Sequence, residues 1–246
     1  MRGAALALAL AGGPVAAECR QALALGVDVS GSVDAEEYAL QMGGLAAALE
    51  AEDVAAILLV APEWPVHVAV FEWSGPGSQR TVLPWTAIDG PEALSAATAR
   101  LRATARVPLH PSTAIGEAML YGVRLLEQRP DCPSWTLDLS GDGRANTMPR
   151  PRHVREDGSL GRVTVNALAV GHDDPVHPTI RRVTIAELQA YFETEVIHGP
   201  GAFVETAMGY SDFEDAMRRK LLRELEGLSV GEAGGPPDEG GAARAQ

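Results

Sequence analysis

Lysine is almost missing from this chain, which contains 246 residues and a single lysine, Lys220. Arginine therefore supplies nearly all of the positive charge, which disfavours enzymes that need a lysine at a phosphate or a Schiff base. Basic residues as a whole are also scarce, since 33 acidic residues against 20 basic ones leave a formal net charge of −13. A nucleic-acid-binding surface needs basic residues to neutralise phosphates. We therefore expect no nucleic-acid partner.

Long apolar runs are missing except at the beginning of the chain. There Met1-Arg2 precedes a stretch of Ala, Leu and Gly that ends in small residues before Glu18. A short positive end, an apolar stretch and small residues before a polar one are typical of a signal peptide, and the stretch is too short to span a bilayer. The sequence predicts a signal peptide at residues 1–17, cleaved after Ala17, a periplasmic or secreted protein, and no membrane span. A buried first helix is the alternative.

Cysteine is limited to two residues, Cys19 and Cys132. In an oxidising compartment an even pair predicts a disulfide. The alternative is a nucleophile or a metal thiolate, but neither cysteine has a His or another Cys nearby in the sequence.

Apolar segments of strand and helix character alternate along the chain, and 46% of the residues are hydrophobic. This content and length suit one substantial domain. The alternation predicts an α/β fold, a doubly wound, mostly parallel sheet with helices on both faces and one short antiparallel edge strand. Predicted strands cover 21–27, 66–73, 81–85, 134–139, 163–170 and 202–204. Six helices are predicted. The first has an apolar face formed by Tyr38, Met42, Leu45 and Leu49. Three more cover 53–60, 91–106 and 114–127, and two begin at capping-box patterns at Thr184 and Ser211.

The end of the chain changes in composition after Leu228, where Gly, Pro, Glu and Ala dominate. Such a composition cannot bury a core. The sequence therefore predicts a domain over residues 18–228 and a disordered tail over 229–246.

Three polar segments lie at the same edge of the predicted sheet, two of them after strands and one at the beginning of a helix. Asp28, Ser30 and Ser32 lie in the turn after the first strand, Thr113 begins a helix, and Asp142 follows the strand over 134–139. Ligands of doubly wound folds bind at the carboxyl ends of the strands. Carboxylate and hydroxyl oxygens suit a hard divalent cation, Mg²⁺ above all, with Mn²⁺ or Ca²⁺ also possible.

The pattern Asp-x-Ser-x-Ser with a distant Thr and an Asp-Gly resembles the metal-ion-dependent adhesion site (MIDAS) of von Willebrand factor type A (VWA) domains. The resemblance implies that Ser30, Ser32 and Thr113 touch the metal directly. It also implies that Asp28 and Asp142 hold its waters, and that an acidic group of a partner completes the octahedron. A retained fold with a vestigial site is the alternative.

More particular phrases are similar to a bacterial VWA-like group, the domain of unknown function 1194 (DUF1194). They are FEWS at 71–74, VLPW at 82–85, SGDG at 140–143 and VIHGPGAF at 196–203. This resemblance implies the fold and export but no established activity. One departure is Ser112, where many such domains have Gly before the Thr. Its side chain is small, so we expect the site to tolerate it.

The resemblance also bears on the cysteines. In VWA domains the strand before Asp28 and the strand before Asp142 are parallel neighbours. Cys19 lies nine residues before Asp28, and Cys132 lies ten before Asp142. The resemblance therefore implies that the two cysteines meet at the opposite edge of the sheet and form a disulfide.

Other residues allow a functional and a structural interpretation. Arg144, Arg150 and Arg152 follow Asp142 and either form a solvated loop or steer a partner's carboxylate towards the metal. The segment 172–177, with His172 and His177, is an exposed loop or a second metal site. Trp73 and Trp85 are interpreted as packing residues rather than a ligand platform, and Asp138, inside an apolar strand, has no explanation from the sequence.

Two functional classes remain. The first is a secreted binding module that recognises an unknown protein or acidic ligand through Mg²⁺. The second is a metal-dependent, phosphatase-like hydrolase, but Ser30 stands where such enzymes need a second Asp, and Lys220 is far away in the sequence. No other nucleophile or base motif is present. The sequence therefore favours a binding module that is not an enzyme.

Overall fold

Strands and helices alternate in the computed structural model, which describes residues 19–171 and 178–231. In chain order the elements are β1 Gln21–Asp28, α1 Ala35–Glu50, α2 Glu52–Leu58, β2 Val66–Trp73, β3 Gln79–Ala87, α3 Pro91–Arg102, α4 Ile115–Leu126, β4 Ser134–Gly141, α5 Pro151–Glu156, β5 Thr164–Val170, α6 Pro178–Glu195, β6 Val204–Ala207, a 3₁₀ turn Tyr210–Asp212 and α7 Phe213–Gly231. None of the helices in these residues is long and apolar enough to cross a bilayer.

The strands form one six-stranded sheet in the order β3-β2-β1-β4-β5-β6. All pairings are parallel except that of β2 with the edge strand β3. Side chains of β1 alternate between the faces, so that Leu23, Leu25 and Val27 pack in the core with α1, α3 and α7, while Ala22 and Ala24 pack in the core with α4, α5 and α6. This arrangement confirms the predicted α/β fold with helices on both faces and an antiparallel edge strand.

The first helix starts where a capping box forms. The Asp34 side chain accepts hydrogen bonds from the backbone N–H groups of Glu36 and Glu37, and the Glu37 carboxylate accepts one from the Asp34 N–H. These contacts satisfy N–H groups that the first helical turn leaves without partners. They also fix the end of the turn that follows β1. The predicted apolar face of this helix is buried as expected: Tyr38, Met42, Leu45 and Leu49.

The pairing of β1 with β4 determines which residues lie side by side at both ends of these two strands. Its register runs from Gln21 opposite Ser134 to Val27 opposite Ser140. Two residues before the first of these pairs, Cys19 and Cys132 are joined in a disulfide, with Cα atoms 4.8 Å apart. Both cysteines are buried. The bond therefore closes the amino-terminal edge of the two central strands.

Asp138 belongs to a buried group of charges that the sequence did not reveal. Its Oδ2 lies 2.6 Å from Nζ of Lys220 on α7, and the same Nζ lies 2.6 Å from Oε1 of Glu224. Asn166 on β5 donates to Glu224 at 2.8 Å. Burial, and the charge of Glu224, raise the pKa of Asp138 to about 7, although Lys220 opposes this. The sole lysine thus anchors α7 to the sheet.

Two parts of the sequence interpretation are wrong in the middle of the chain. Helix α3 ends at Arg102 rather than 106, where the Thr104 N–H donates to the Leu101 carbonyl in a tighter i−3 bond that closes the last turn. The Arg106 side chain instead donates to the Val33 carbonyl at 2.8 Å. The predicted polar loop after Asp142 contains α5, which at six residues is too short to show a helical period.

Three boundaries near the end of the chain also differ. Helix α6 begins at Pro178, so Thr184 lies inside it and does not open it; proline suits the first helical turn. Strand β6 is Val204–Ala207 rather than 202–204, because the Phe203 N–H donates to the Asn166 side chain. Helix α7 continues to Gly231, three residues beyond the predicted domain end at 228. The predicted signal peptide and tail residues 232–246 lie outside the described residues.

Replacing both cysteines, Cys19→Ser with Cys132→Ser, should lower the free energy of unfolding by about 4 kcal/mol, because the bond closes a long loop in the unfolded chain. The sequence separation of the bonded residues is 113. Urea unfolding of the double variant and the oxidised wild type measures the difference. Equal stabilities would show that the bond adds nothing.

Asp138→Asn should flatten the pH dependence of stability between about pH 4 and pH 7. The pKa of Asp138 is raised from 3.8 to about 7 in the folded protein, so the folded state holds this proton more tightly than the unfolded chain. Its contribution is complete at low pH and is lost as the pH rises towards 7. Urea unfolding at pH 5 and pH 7.5 should show a smaller loss in the variant than in the wild type.

Lys220→Met provides the contrasting variant for that experiment. It leaves two buried carboxylates, Asp138 and Glu224, without their cation. Breaking a buried ion pair in this way costs about 3–5 kcal/mol near neutral pH. Two results would contradict this account of the buried charges. One is that the free energy of unfolding varies with pH in the same way in the wild type and in Asp138→Asn, and the other is that Lys220→Met leaves the free energy of unfolding unchanged.

Candidate metal site at the carboxyl edge of the sheet

The structure brings the polar segments of the sequence together where β1 and β4 end. Asp28 is the last residue of β1, and Asp142 directly follows β4. The Ser32 hydroxyl donates to Oδ1 of Asp142 at 2.8 Å, and the Ser30 and Ser32 hydroxyl oxygens are 3.3 Å apart. Residues 110 positions apart in the chain therefore share one hydrogen-bonded group.

The turn after β1 has a defined local cause. The Asp28 carboxylate accepts a hydrogen bond from the Ser30 N–H at 2.7 Å, which bends the chain directly after the strand. The Gly31 N–H donates to the Pro111 carbonyl at 2.9 Å. A Cβ at position 31 would lie 2.9 Å from the Pro111 Cβ. Glycine is thus required for the close approach of the segment that leads to Thr113.

Thr113 is positioned through its backbone. Its N–H donates to Oδ1 of Asn146 at 2.9 Å, and the Asn146 N–H donates back to the Thr113 carbonyl at 3.0 Å. The Ala114 N–H donates to the Ser74 carbonyl at 2.8 Å. Thr113, itself buried, is therefore tied both to the loop after Asp142 and to the end of β2.

Two carboxylates are buried at this edge and differ in their partners. Both oxygens of Asp142 accept hydrogen bonds, Oδ1 from Ser32 and Oδ2 from the Tyr210 hydroxyl at 3.1 Å. Asp28 is completely buried, and its Oδ2 has no hydrogen-bond partner. Burial, and next the charge of Asp142, raise the pKa of Asp28 well above its usual value, although bonds from Ser30 oppose this. A cation would compensate the negative charge of this pair.

Space beside Asp28 depends on a glycine. A Cβ at Gly141 would lie 3.2 Å from Oδ2 of Asp28 and 3.4 Å from the Trp73 ring. Carboxylate and hydroxyl oxygens next to an unpartnered buried oxygen fit a hard divalent cation. Histidine and cysteine offer no comparable site in residues 19–171 and 178–231. The one close group there, Cys19, Asp131 and Cys132, has its sulfurs joined in the disulfide.

Three supporting residues were missed by the sequence analysis. Tyr210 bonds to Asp142, Asn146 to Thr113, and the Gln41 side chain donates to the Asp28 carbonyl at 3.0 Å. Asn146 stands in the polar loop after Asp142 and could have been considered. Tyr210 and Gln41 belong to no local motif, because they reach the site from other elements.

The three arginines after Asp142 have different surroundings. Arg150 donates to the Ala145 carbonyl, and Nη1 of Arg152 lies 3.8 Å from a Glu195 oxygen. The Arg144 side chain is exposed, and its guanidinium carbon lies 5.5 Å from the centre of the Tyr191 ring. Only Arg144 of the three has no bond to a protein oxygen within the described residues.

The remaining candidates are only partly covered by the structure. Trp73 is fully buried beside Gly141, and the Trp85 indole N–H donates to the Leu125 carbonyl at 3.1 Å. Both tryptophans are therefore packing residues, and Trp73 also lies next to the site. His172 and His177 lie outside the described residues.

Comparison with known proteins assigns the family. The model of a family described as protein of unknown function (DUF1194) matches residues 18–229. No curated protein matches the chain at a significant level.

Solved structures share the fold at low sequence identity. Proximal thread matrix protein 1 (PTMP1) from the mussel byssus has a TM-score of 0.58 at 16% identity, over 85% of this chain and 49% of that chain. A second crystal structure of PTMP1 has a zinc-occupied MIDAS motif, with a TM-score of 0.55 at 14% identity over 85% and 46%. The von Willebrand factor type A protein from Catenulispora acidiphila gives 0.55 at 16% identity over 84% and 43%.

A third protein matches over nearly its whole length. BatB from Bacteroides thetaiotaomicron has a TM-score of 0.52 at 15% identity, over 85% of this chain and 98% of that one. This chain thus spans about half or less of the PTMP1 and Catenulispora structures and nearly all of BatB. At such identities these likenesses show the fold alone. Together with the family match, they establish that the chain belongs to the DUF1194 family and has a VWA-like fold.

Proposed function

We propose that this protein is a metal-dependent binding module that recognises an acidic group of a protein or ligand. In this proposal Ser30, Ser32 and Thr113 contact a divalent cation directly, Mg²⁺ in the first instance, while Asp28 and Asp142 hold its waters. The bound cation supplies an electrophilic centre to which a partner's carboxylate can bind. The observation that carries the proposal is the unpartnered, buried Oδ2 of Asp28 beside a second carboxylate.

Physical chemistry supports a cation at this position. An ionised carboxylate buried without a partner is costly unless a proton or a cation compensates it. Oxygen donors alone, from serine, threonine and aspartate, suit a hard ion that keeps part of its water. The zinc-occupied MIDAS motif described for PTMP1 supports the idea that this fold holds a divalent ion.

A binding role is favoured over hydrolysis. The phosphatase-like alternative needs a lysine to hold a phosphoryl group, but Lys220 is fully buried between Asp138 and Glu224. It also needs an acid or base two residues after Asp28, where Ser30 stands. We therefore propose that the protein is not an enzyme.

We also propose that the protein acts outside the cytoplasm, in the periplasm or after secretion. The buried disulfide between Cys19 and Cys132 supports this, because such bonds persist in oxidising compartments. The signal-peptide pattern over residues 1–17 agrees with it.

Mg²⁺ or Mn²⁺ should raise the melting temperature of the oxidised wild type in EDTA-treated buffer. A ligand that binds only the folded state stabilises it by about 2.7 kcal/mol at a concentration one hundred times its Kd. Asp28→Asn should abolish this response without lowering the metal-free melting temperature, because it removes a buried charge but keeps the shape. Differential scanning calorimetry measures both effects.

Asp53→Asn is the matched control for this experiment. Asp53 is on the surface in an ion pair with Arg218, and its replacement should leave the metal response intact. Equal responses in Asp28→Asn and wild type would place any bound metal elsewhere. A wild type with no response would favour a vestigial site.

Of the three arginines that follow Asp142, we propose that Arg144 contacts the partner. Its side chain is exposed, whereas Arg150 and Arg152 already contact protein oxygens. Arg144→Glu should slow the association of a glutamate-rich peptide with the Mg²⁺-loaded protein severalfold, because a charge at the rim of an interface acts mainly on the on-rate. Arg152→Glu is the control with a smaller expected effect. Surface plasmon resonance with equal on-rates for the two variants would contradict this role.

A further inference from the structure

Tyr210 contacts the candidate metal site but does not belong to the pattern of Asp-x-Ser-x-Ser, a distant Thr and an Asp-Gly. It lies in the 3₁₀ turn just before α7, is 2% exposed, and its hydroxyl is 3.1 Å from Oδ2 of Asp142. The phenol hydroxyl therefore donates a hydrogen bond to this carboxylate oxygen.

The result is a carboxylate with a donor on each oxygen. Ser32 donates to Oδ1 of Asp142, and Tyr210 donates to Oδ2. A hydrogen bond withdraws electron density from an oxygen and occupies one of its lone pairs. Asp142 is therefore a poor two-oxygen ligand. It is better suited to bind one metal-bound water, or the metal through one oxygen.

This restriction affects metal ions differently. Ca²⁺ takes six to eight oxygen ligands in flexible geometry and often binds both oxygens of a carboxylate, whereas Mg²⁺ needs six in an octahedron and keeps several waters. A site in which Asp142 offers both oxygens less readily loses more for Ca²⁺ than for Mg²⁺. Tyr210 is fixed by burial, so the restriction holds before any ion binds.

We propose that Tyr210 sets the metal preference of this site, favouring a small octahedral ion such as Mg²⁺ over Ca²⁺ by occupying Oδ2 of Asp142. The inference depends on the metal site proposed above. Tyr210 acts through Asp142 and does not touch the metal. It is therefore a positioning residue.

The test measures two dissociation constants on the same protein. Isothermal titration of Mg²⁺ and of Ca²⁺ into the oxidised, metal-free full chain gives the ratio of Kd for Ca²⁺ to Kd for Mg²⁺. Tyr210→Phe should lower this ratio about tenfold, since loss of an outer-shell partner changes metal affinity by about 10- to 100-fold. A general loss of packing weakens both ions and leaves the ratio unchanged.

Tyr38→Phe is the matched control. Tyr38 is also buried and donates to a buried carboxylate, Glu72, at 2.5 Å, but this pair is not among the proposed metal ligands and their hydrogen-bond partners. Its ratio should equal that of the wild type. An unchanged ratio in Tyr210→Phe, or an equal shift in both variants, would overturn the role of Tyr210. A wild type that binds neither ion would instead contradict the proposed metal site.

Discussion

The parallel pairing of β1 with β4 is the constraint on which the other features depend. Its register, Val27 opposite Ser140, brings the ends of both strands to the same level. The residues that follow, Asp28 and Asp142, are therefore neighbours although they are far apart in sequence. The same register brings Cys19 and Cys132 within bonding distance at the other end. One strand pair thus brings together the residues of the candidate site at one edge of the sheet and the two cysteines of the disulfide at the other.

The protein contains two groups of buried carboxylates, and they are compensated in different ways. Asp138 and Glu224 share the ammonium group of Lys220, so one of their two negative charges is balanced within the chain. Asp28 and Asp142 have hydroxyl and N–H donors, and Oδ2 of Asp28 has no partner at all. Neutral donors reduce the cost of a buried charge less than a cation does. This contrast within one core is the physical reason to assign a cation to the second group and a structural role to the first.

The sequence was most informative where local chemistry decides the structure. The strand over 66–73 and the apolar face from Tyr38 to Leu49 could be predicted because periodicity and burial agree there. Thr184 does not open a helix as predicted, because a capping-box pattern can also occur inside one. Helix α5 could not be predicted, because its six residues are too few to show a helical period.

The residues of the candidate site also divide into those that a local pattern reveals and those that only the fold brings together. Asp28, Ser30 and Ser32 are close together in sequence and form a recognisable pattern, and Thr113 and Asp142 could be added because each lies at the end of a predicted element. Tyr210, Asn146 and Gln41 could not be found in this way, because each reaches the site only through tertiary packing. The partner of Asp138 was hidden for the same reason: Lys220 is on the last helix of the described chain. Hydrogen bonds across elements need the fold before they can be assigned.

The central claim is that a divalent cation binds where Asp28 and Asp142 meet. Anomalous diffraction from crystals of the oxidised protein grown with Mn²⁺ tests it most directly, because the signal locates the ion without assumptions about affinity. The account predicts an anomalous peak in contact with the hydroxyl oxygens of Ser30, Ser32 and Thr113. A peak only at other residues, or no peak at this edge of the sheet at saturating Mn²⁺, would contradict it.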